Sequence, residues 1–351
     1  MTRSKPSRTL LAEWAPQSGV MLTWPHARGD WAANLDAVEQ VYLQLAQAIC
    51  QHELLLLICD DLEHQKHIQH FLATADIAPS KIRFALQTSN DSWARDHGPI
   101  TVIENGELRL LDFQFNGWGG KYPHDLDNRI TAGLHAAGSF GTTPLDTLEL
   151  VLEGGSIDSD GEGTLLTTRT CLEHPGRNPQ LSMAGIEQQL KALLGVKHIL
   201  WLEHGELAGD DTDSHIDMLA RFCNPQTIAY STCTDPNDEH FEALSAMQQE
   251  LTAMRRPDGE AYDLVALPIP QAIFNPQGKR LPASYANFLI INEAVLVPQY
   301  GDPADAVALE RLTACFPARA VMGINCRAVI EQFGSLHCLT MQLPEGVLNA
   351  T

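Results

Sequence analysis

Tight-turn signals recur along the chain at similar intervals, and they limit its fold more than any other feature. Apolar runs break at Asn105-Gly106, Asp160-Gly161, Asn224-Pro225 and Asn292-Glu293, each inside a segment that reads as a hairpin. Asn105-Gly106 is the strongest signal, because a type I′ turn needs positive φ at both central residues. From Gly106 to Gly161, Pro225 and Glu293 the steps are 55, 64 and 68 residues. A stretch of helical periodicity follows each hairpin, near 126–137, 182–194, 237–254 and 303–316. Further helices are expected near 34–50 and 61–73, and a strand around 336–342 could pair with one around 20–24. Recurrence at this period suggests repeated ββα-type units arranged in a ring. With no repeated motif, the spacing by itself fits a generic α+β protein better. No linker, charge block or low-complexity stretch divides the chain, so one compact domain over residues 1–351 is the simplest reading.

Charge narrows the partners. Asp and Glu total 44 against 23 Lys and Arg, a net charge of −21. Such a chain repels phosphate backbones, which disfavours nucleic acids and anionic membranes. The longest apolar run, Leu54 to Cys59, is too short to cross a bilayer. The start, MTRSKPSRTLLAEWAPQ, is basic but has no apolar core of a signal peptide. Eight scattered cysteines include no CxxC pair, which argues against structural zinc and for reduced thiols in the cytoplasm. There is no P-loop and no GxGxxG, which counts against common nucleotide enzymes without excluding them.

Four segments could carry chemistry. In Trp93-Ala94-Arg95-Asp96-His97-Gly98-Pro99, an aromatic ring and a carboxylate at a strand end suit a cation. On those residues alone, a core tryptophan and a surface Arg95–Asp96 pair is the simpler reading. Glu153 stands beside Gly154-Gly155, where two glycines signal a bulge or the close approach of another group. An exposed turn acid fits Glu153 equally well. In Gly209-Asp210-Asp211-Thr212-Asp213-Ser214-His215-Ile216-Asp217, a strand would turn His215 and Asp217 to one face. Imidazole and carboxylate together suit acid–base catalysis or a metal, and a solvated acidic loop does not explain them.

The fourth segment is Phe333-Gly334-Ser335-Leu336-His337-Cys338-Leu339-Thr340. Cys338 read alone is a core cysteine. On a strand His337 would face away from it, whereas distant His215 could approach it in the fold. A rival constellation, His64, His67 and His70, reads best as a solvated helix face.

Together these segments resemble the agmatine deiminase family, which includes the bacterial-type peptidylarginine deiminases. The resemblance rests on WARDHGP, FNGWGGKYPHDLD, LEGGSIDSDGEGTLLTT, CLEHPGRNP, DDTDSHIDM, ASYANFLI with VPQYGDP, and SLHCLTMQLP, from Trp24-Pro25 to Pro344. It implies an α/β fold, a five-bladed α/β propeller of pseudo-repeated ββαβ units. It also implies Cys338 as the nucleophile on a guanidinium carbon, forming a thiouronium adduct. His215 would then protonate the leaving ammonia and activate water, with Glu153 orienting and charging it. By the same resemblance Asp96 and Asp217 grip the guanidinium N–H groups, and Trp93 and Trp118 line the site. No metal and no organic cofactor is implied. The expected partner is a small cationic guanidine, not nucleic acid or membrane, and a homodimer is compatible with it.

The chain departs from the family where Phe333-Gly334-Ser335 replaces a glycine-rich approach to the nucleophile and where Ser214 replaces a glycine. The connection from Pro268 to Ser284 is also short. These changes leave the reaction type standing and bear on the substrate's tail. The leading expectation is agmatine hydrolysis to N-carbamoylputrescine and ammonia, feeding putrescine synthesis. Acids at Asp210, Asp211 and Asp213 could take its ammonium. The close rival is a deiminase of peptidyl or free arginine. A metal-dependent hydrolase built on His215 and Asp217, and a non-catalytic cation binder, would both make the Cys338 and Glu153 motifs accidental.

Overall fold

The computed structural model describes residues 8–348, so residues 1–7 of the basic start lie outside it. Within those bounds the strands form five small sheets. Four follow one plan: an antiparallel hairpin, then a helix, then a strand parallel to the hairpin's second arm. Blade 2 pairs Ile100–Glu104, Glu107–Gln114 and Leu145–Val151, with Arg8–Leu10 added at its inner edge. Blade 3 pairs Ile157–Ser159, Thr164–Thr168 and His198–Leu202. Blade 4 pairs Ala220–Asn224, Thr227–Thr232 and Asp263–Pro268. Blade 5 pairs Leu289–Ile291, Ala294–Gln299 and Ala320–Asn325.

Blade 1 draws on both ends of the chain. Thr340–Pro344 runs antiparallel to Gln17–Thr23, with Thr340 opposite Leu22, and Leu54–Cys59 and Ile82–Leu86 extend the sheet in parallel. Its hairpin is thus assembled from strands about 320 positions apart, which locks the last blade to the first. Leu54–Cys59 lies between parallel neighbours, and its unbroken LLLLIC reads as a strand covered on both faces.

The helices close the ring. Leu35–His52 of blade 1 touches Ala320–Asn325 of blade 5, and Ala304–Cys315 of blade 5 touches Asp263–Pro268 of blade 4. Phe241–Ala253 of blade 4 touches His198–Leu202 of blade 3, and Met183–Leu194 of blade 3 touches Arg8–Leu10 of blade 2. Leu134 and Phe140 of blade 2 share an apolar cluster with Met21 and Leu56 of blade 1. The architecture is a five-bladed α/β propeller of ββαβ units. The ring that spacing alone could only suggest is present, because each helix buries its apolar face against an adjoining blade as well as near its own.

All four turn signals mark hairpins. Asn105 and Gly106 have φ of 53° and 89°, the two positive values that a two-residue turn requires. Among the described residues, no helix is long and apolar enough to cross a membrane.

Candidate active site

The first strand of every blade is preceded by a short turn, and these five turns carry the site. They are Ala94–His97 in blade 2, Gly154–Ser156 in blade 3, Ile216–Met218 in blade 4, the bend at 285–286 in blade 5 and His337–Leu339 in blade 1. Asp96, His215, Asp217 and Cys338 line one cleft of about 480 Å³, with Trp93, Trp118 and Asp211. Glu153 lies behind His215, fully buried.

Several local expectations need correcting. Asp96 is in a helical turn rather than at a strand end, and Asp217 and Cys338 sit in 3₁₀ turns rather than strands. A 3₁₀ turn rotates successive side chains by about 120°, not 180°. His215 and Asp217 still face the cleft, but alternation is not the reason. The same geometry overturns the dismissal of His337. Its Nδ1 lies 2.8 Å from Asp217 Oδ2, and its Nε2 lies 2.7 Å from Glu13 Oε2.

Electrostatics set the chemistry of the cleft. Burial pushes the Cys338 thiol well above its ordinary range, and the Asp217 and Asp96 charges push it further. Its Sγ donates toward Asp217 Oδ2 at 3.7 Å and accepts from Asn287 Nδ2 at 3.3 Å. Burial works against the charged form of His215, but Asp96, then Cys171 and Glu153, raise its pKa well above the usual histidine range. His215 Nδ1 is 3.7 Å from Asp96 Oδ1. Burial raises the Asp96 carboxyl, and the charges of Asp217 and Glu153 add to that. Trp118 Nε1 and the Gly155 backbone N–H each donate to it at 2.9 Å. Asp217 goes the other way: burial opposes its charge, but His337 and His215 hold its carboxyl below the usual range. Its Oδ1 is buried with no hydrogen-bond partner, an acceptor left for an incoming donor.

Glu153 makes its hydrogen bonds elsewhere. Both of its oxygens accept from Arg177 Nε, at 2.9 and 3.0 Å. Among the described residues, Glu153, Cys171 and His215 are the one group whose ligand atoms converge within 4.8 Å as a metal's would. The Arg177 guanidinium already occupies the carboxylate, so a second cation there would meet like-charge repulsion.

The acidic loop divides by partner. Asp211 lines the cleft, where its Oδ2 accepts from Tyr122 OH at 2.7 Å. Asp213 points away from the cleft, accepting from Lys121 Nζ at 2.6 Å and Arg177 Nη1 at 2.7 Å. Ser214 has φ of 66° and Phe333 of 68°, a region glycine enters at little cost. That accounts for the glycines expected at these places. The three-histidine constellation disperses: His64 reaches the Pro25 carbonyl, while His67 reaches Glu39.

Three residues of the site were missed by sequence reasoning. Asn287 touches Cys338, and its Oδ1 accepts from the His337 N–H at 2.8 Å. Arg177 holds Glu153, and Glu13 holds His337. The signal for Asn287 was a polar residue just ahead of the apolar run Phe288–Ile291, the same placement that marks Asp217.

Gly155 gives the cleft its room. A Cβ there would lie 2.6 Å from His215 Nδ1, 2.8 Å from Asp96 Oδ1 and 3.1 Å from Asp217 Oδ2. Gly155→Ala should therefore lower kcat/KM by roughly 10²-fold or more, with a stability loss of about 1–3 kcal/mol from overpacking. Steady-state kinetics beside a thermal melt checks this; wild-type kinetics would mean the three groups do not converge on substrate.

Fold and site define a class: a five-bladed propeller whose blades bring cysteine, histidine and carboxylates to one cleft. The chain belongs to the Porphyromonas-type peptidyl-arginine deiminase family, which matches residues 9–344. It is 34% identical to a Vibrio parahaemolyticus protein provisionally named agmatine deiminase, over 95% of this chain and 96% of that one. A Porphyromonas gingivalis structure provisionally named arginine deiminase superposes with a TM-score of 0.91 at 50% identity, covering 97% and 100% of the two chains. The agmatine deiminase of C. jejuni, in a Cys-to-Ser form with substrate bound, gives 0.91 at 36% identity and 99% coverage of both.

Proposed function

We propose that the protein hydrolyses agmatine to N-carbamoylputrescine and ammonia through a covalent intermediate on Cys338. One observation carries this reading: the Asp96 and Asp217 carboxylates flank Cys338 and His215 in a cleft lined, among the described residues, by no lysine or arginine. A planar guanidinium satisfies both carboxylates with its fork of N–H donors. Its charge offsets the two negative charges that hold the thiol protonated, so the Cys338 proton leaves to water as substrate binds. The thiolate attacks the guanidinium carbon. As the C–N bond breaks, protonated His215 gives its proton to the departing nitrogen, and ammonia leaves. Neutral His215 then takes a proton from water, and the hydroxide adds to the thiouronium carbon; as the C–S bond breaks to free the thiolate, the added hydroxyl gives its proton to solvent and becomes the carbonyl of the ureido product.

The outer cleft supports the choice of tail. Asp30, Asp210 and Asp211 line it, an environment that favours an ammonium and repels a free arginine carboxylate. A peptidyl arginine carries no such carboxylate, and the family's description keeps it as the second reading. The whole ring is read as one catalytic unit, since every blade supplies a segment of the site. All eight cysteines are unpaired, which supports work in a reducing cytoplasm, and the product fits putrescine synthesis.

Ammonia release from agmatine, free arginine and a peptide ending in arginine, each with chelator present, tests the reading. Agmatine alone is expected to turn over. Turnover of the peptide alone would move the substrate and keep the mechanism, and silence on all three would end the proposal.

A further inference from the structure

Of the two carboxylates proposed to hold the guanidinium, Asp217 is bonded lopsidedly. Oδ1 has no partner, while Oδ2 is shared between the Cys338 thiol and His337 Nδ1. His337 is 2% exposed and has a carboxylate oxygen within hydrogen-bond distance of each ring nitrogen. A neutral imidazole has one N–H and can donate to only one of them. A cationic imidazole donates to both, and that is the form the two short contacts require. Glu13 is itself fixed, accepting from the Ile290 N–H through Oε1 and from Arg221 Nη2 through Oε2.

We infer that His337 is a positioning residue, an imidazolium clamped between Glu13 and Asp217. It keeps Asp217 ionised and rotated so that Oδ1 faces the substrate. His337 touches neither substrate nor leaving group, since both of its nitrogens are committed behind Asp217. The charged groups around it come from all sides: Glu13 ahead of blade 1, Asp217 and Arg221 from blade 4, Arg95 from blade 2 and Asp158 from blade 3. Arg95 Nη2 lies 3.5 Å from Glu13 Oε2, and Arg221 Nε lies 3.1 Å from Asp158 Oδ1. The acids nearest His337 thus have cationic neighbours, and the imidazolium contributes the remaining charge where Asp217 faces the cleft. The inference rests on the proposed role of Asp217 toward a guanidinium.

His337→Gln tests it, because glutamine can donate one hydrogen bond but carries no charge. With agmatine, KM should rise on the order of 10–100-fold, more than kcat falls. The acidic limb of kcat/KM should move up by about 1–3 pH units as Asp217 loses its neighbouring cation. A purely structural role would lower kcat/KM equally at every pH, and an unmoved limb in an active variant overturns the inference. If wild type fails on agmatine, the functional reading fails first. Should His337→Gln not fold, ¹⁵N-histidine spectra decide the matter without substrate. The His215→Gln enzyme should retain one buried imidazolium signal, protonated at both nitrogens with each proton hydrogen-bonded to a carboxylate. No such signal would overturn the proposal.

Discussion

Cys338→Ala should abolish ammonia release, lowering kcat on the order of 10⁴-fold or more, while agmatine still binds within a few-fold of wild type. Binding should survive because the proposed acceptors of the cation, Asp96 and Asp217, are untouched by the change. Turnover should not, because the substitution removes the one thiol that lines the cleft among the described residues, the atom proposed to form the covalent adduct. His215 could still direct water at the guanidinium carbon, which leaves a small residual rate rather than none. The fold should be indifferent, with a stability change of about 1 kcal/mol or less. The thiol is held protonated among burial and two carboxylates, an unfavourable setting that alanine relieves. Isothermal titration with agmatine beside single-turnover kinetics separates the two effects. A variant within tenfold of the wild-type rate would show that water, not sulfur, attacks the substrate.

The outline of the ring was legible because turn chemistry is local. Asn105-Gly106 forms its turn whatever surrounds it, and Thr340–Pro344 was identifiable as an apolar strand wanting a partner near Gln17–Thr23. Of the cleft residues, His215 and Asp217 stood out as polar groups running straight into an apolar strand, whereas Asp96, Glu153 and Cys338 were singled out by the family resemblance. What stayed hidden was the backbone that carries them. The segments at Asp217 and Cys338 were read as strands, and their 3₁₀ turns depend on where each blade meets the axis, which periodicity cannot report. His337 was set aside for that reason alone. The partners of the site were hidden by distance: Glu13 and His337 are 324 positions apart, and Glu153 reaches Arg177 over 24. Asp213 was misjudged in the opposite direction. Charge composition offered it to a ligand, but Lys121 and Arg177 hold it first.

Glu13 bears on a different property, the closure of the ring itself. Its carboxylate, 5% exposed, gathers the axis: Arg221 of blade 4 at 2.9 Å, His337 of blade 1 at 2.7 Å and the Ile290 N–H of blade 5 at 2.7 Å. Arg95 of blade 2 stands at 3.5 Å, and Asp158 of blade 3 completes the set through Arg221. Glu13→Ala should cost about 3–5 kcal/mol, chiefly because it leaves cations buried without their counter-charge. Denaturant unfolding measures it. Burial opposes the Glu13 charge, but Arg221 and His337 outweigh that and hold the carboxyl below the ordinary glutamate range. A depressed carboxyl contributes stability above its ordinary pKa and loses it as pH falls toward the depressed value. The gap between wild type and variant should therefore be full at neutral pH and shrink on acidification. A gap of the same size at every pH would mean that Glu13 acts by packing alone, and that the blades are held together by their apolar faces rather than by the charges on the axis.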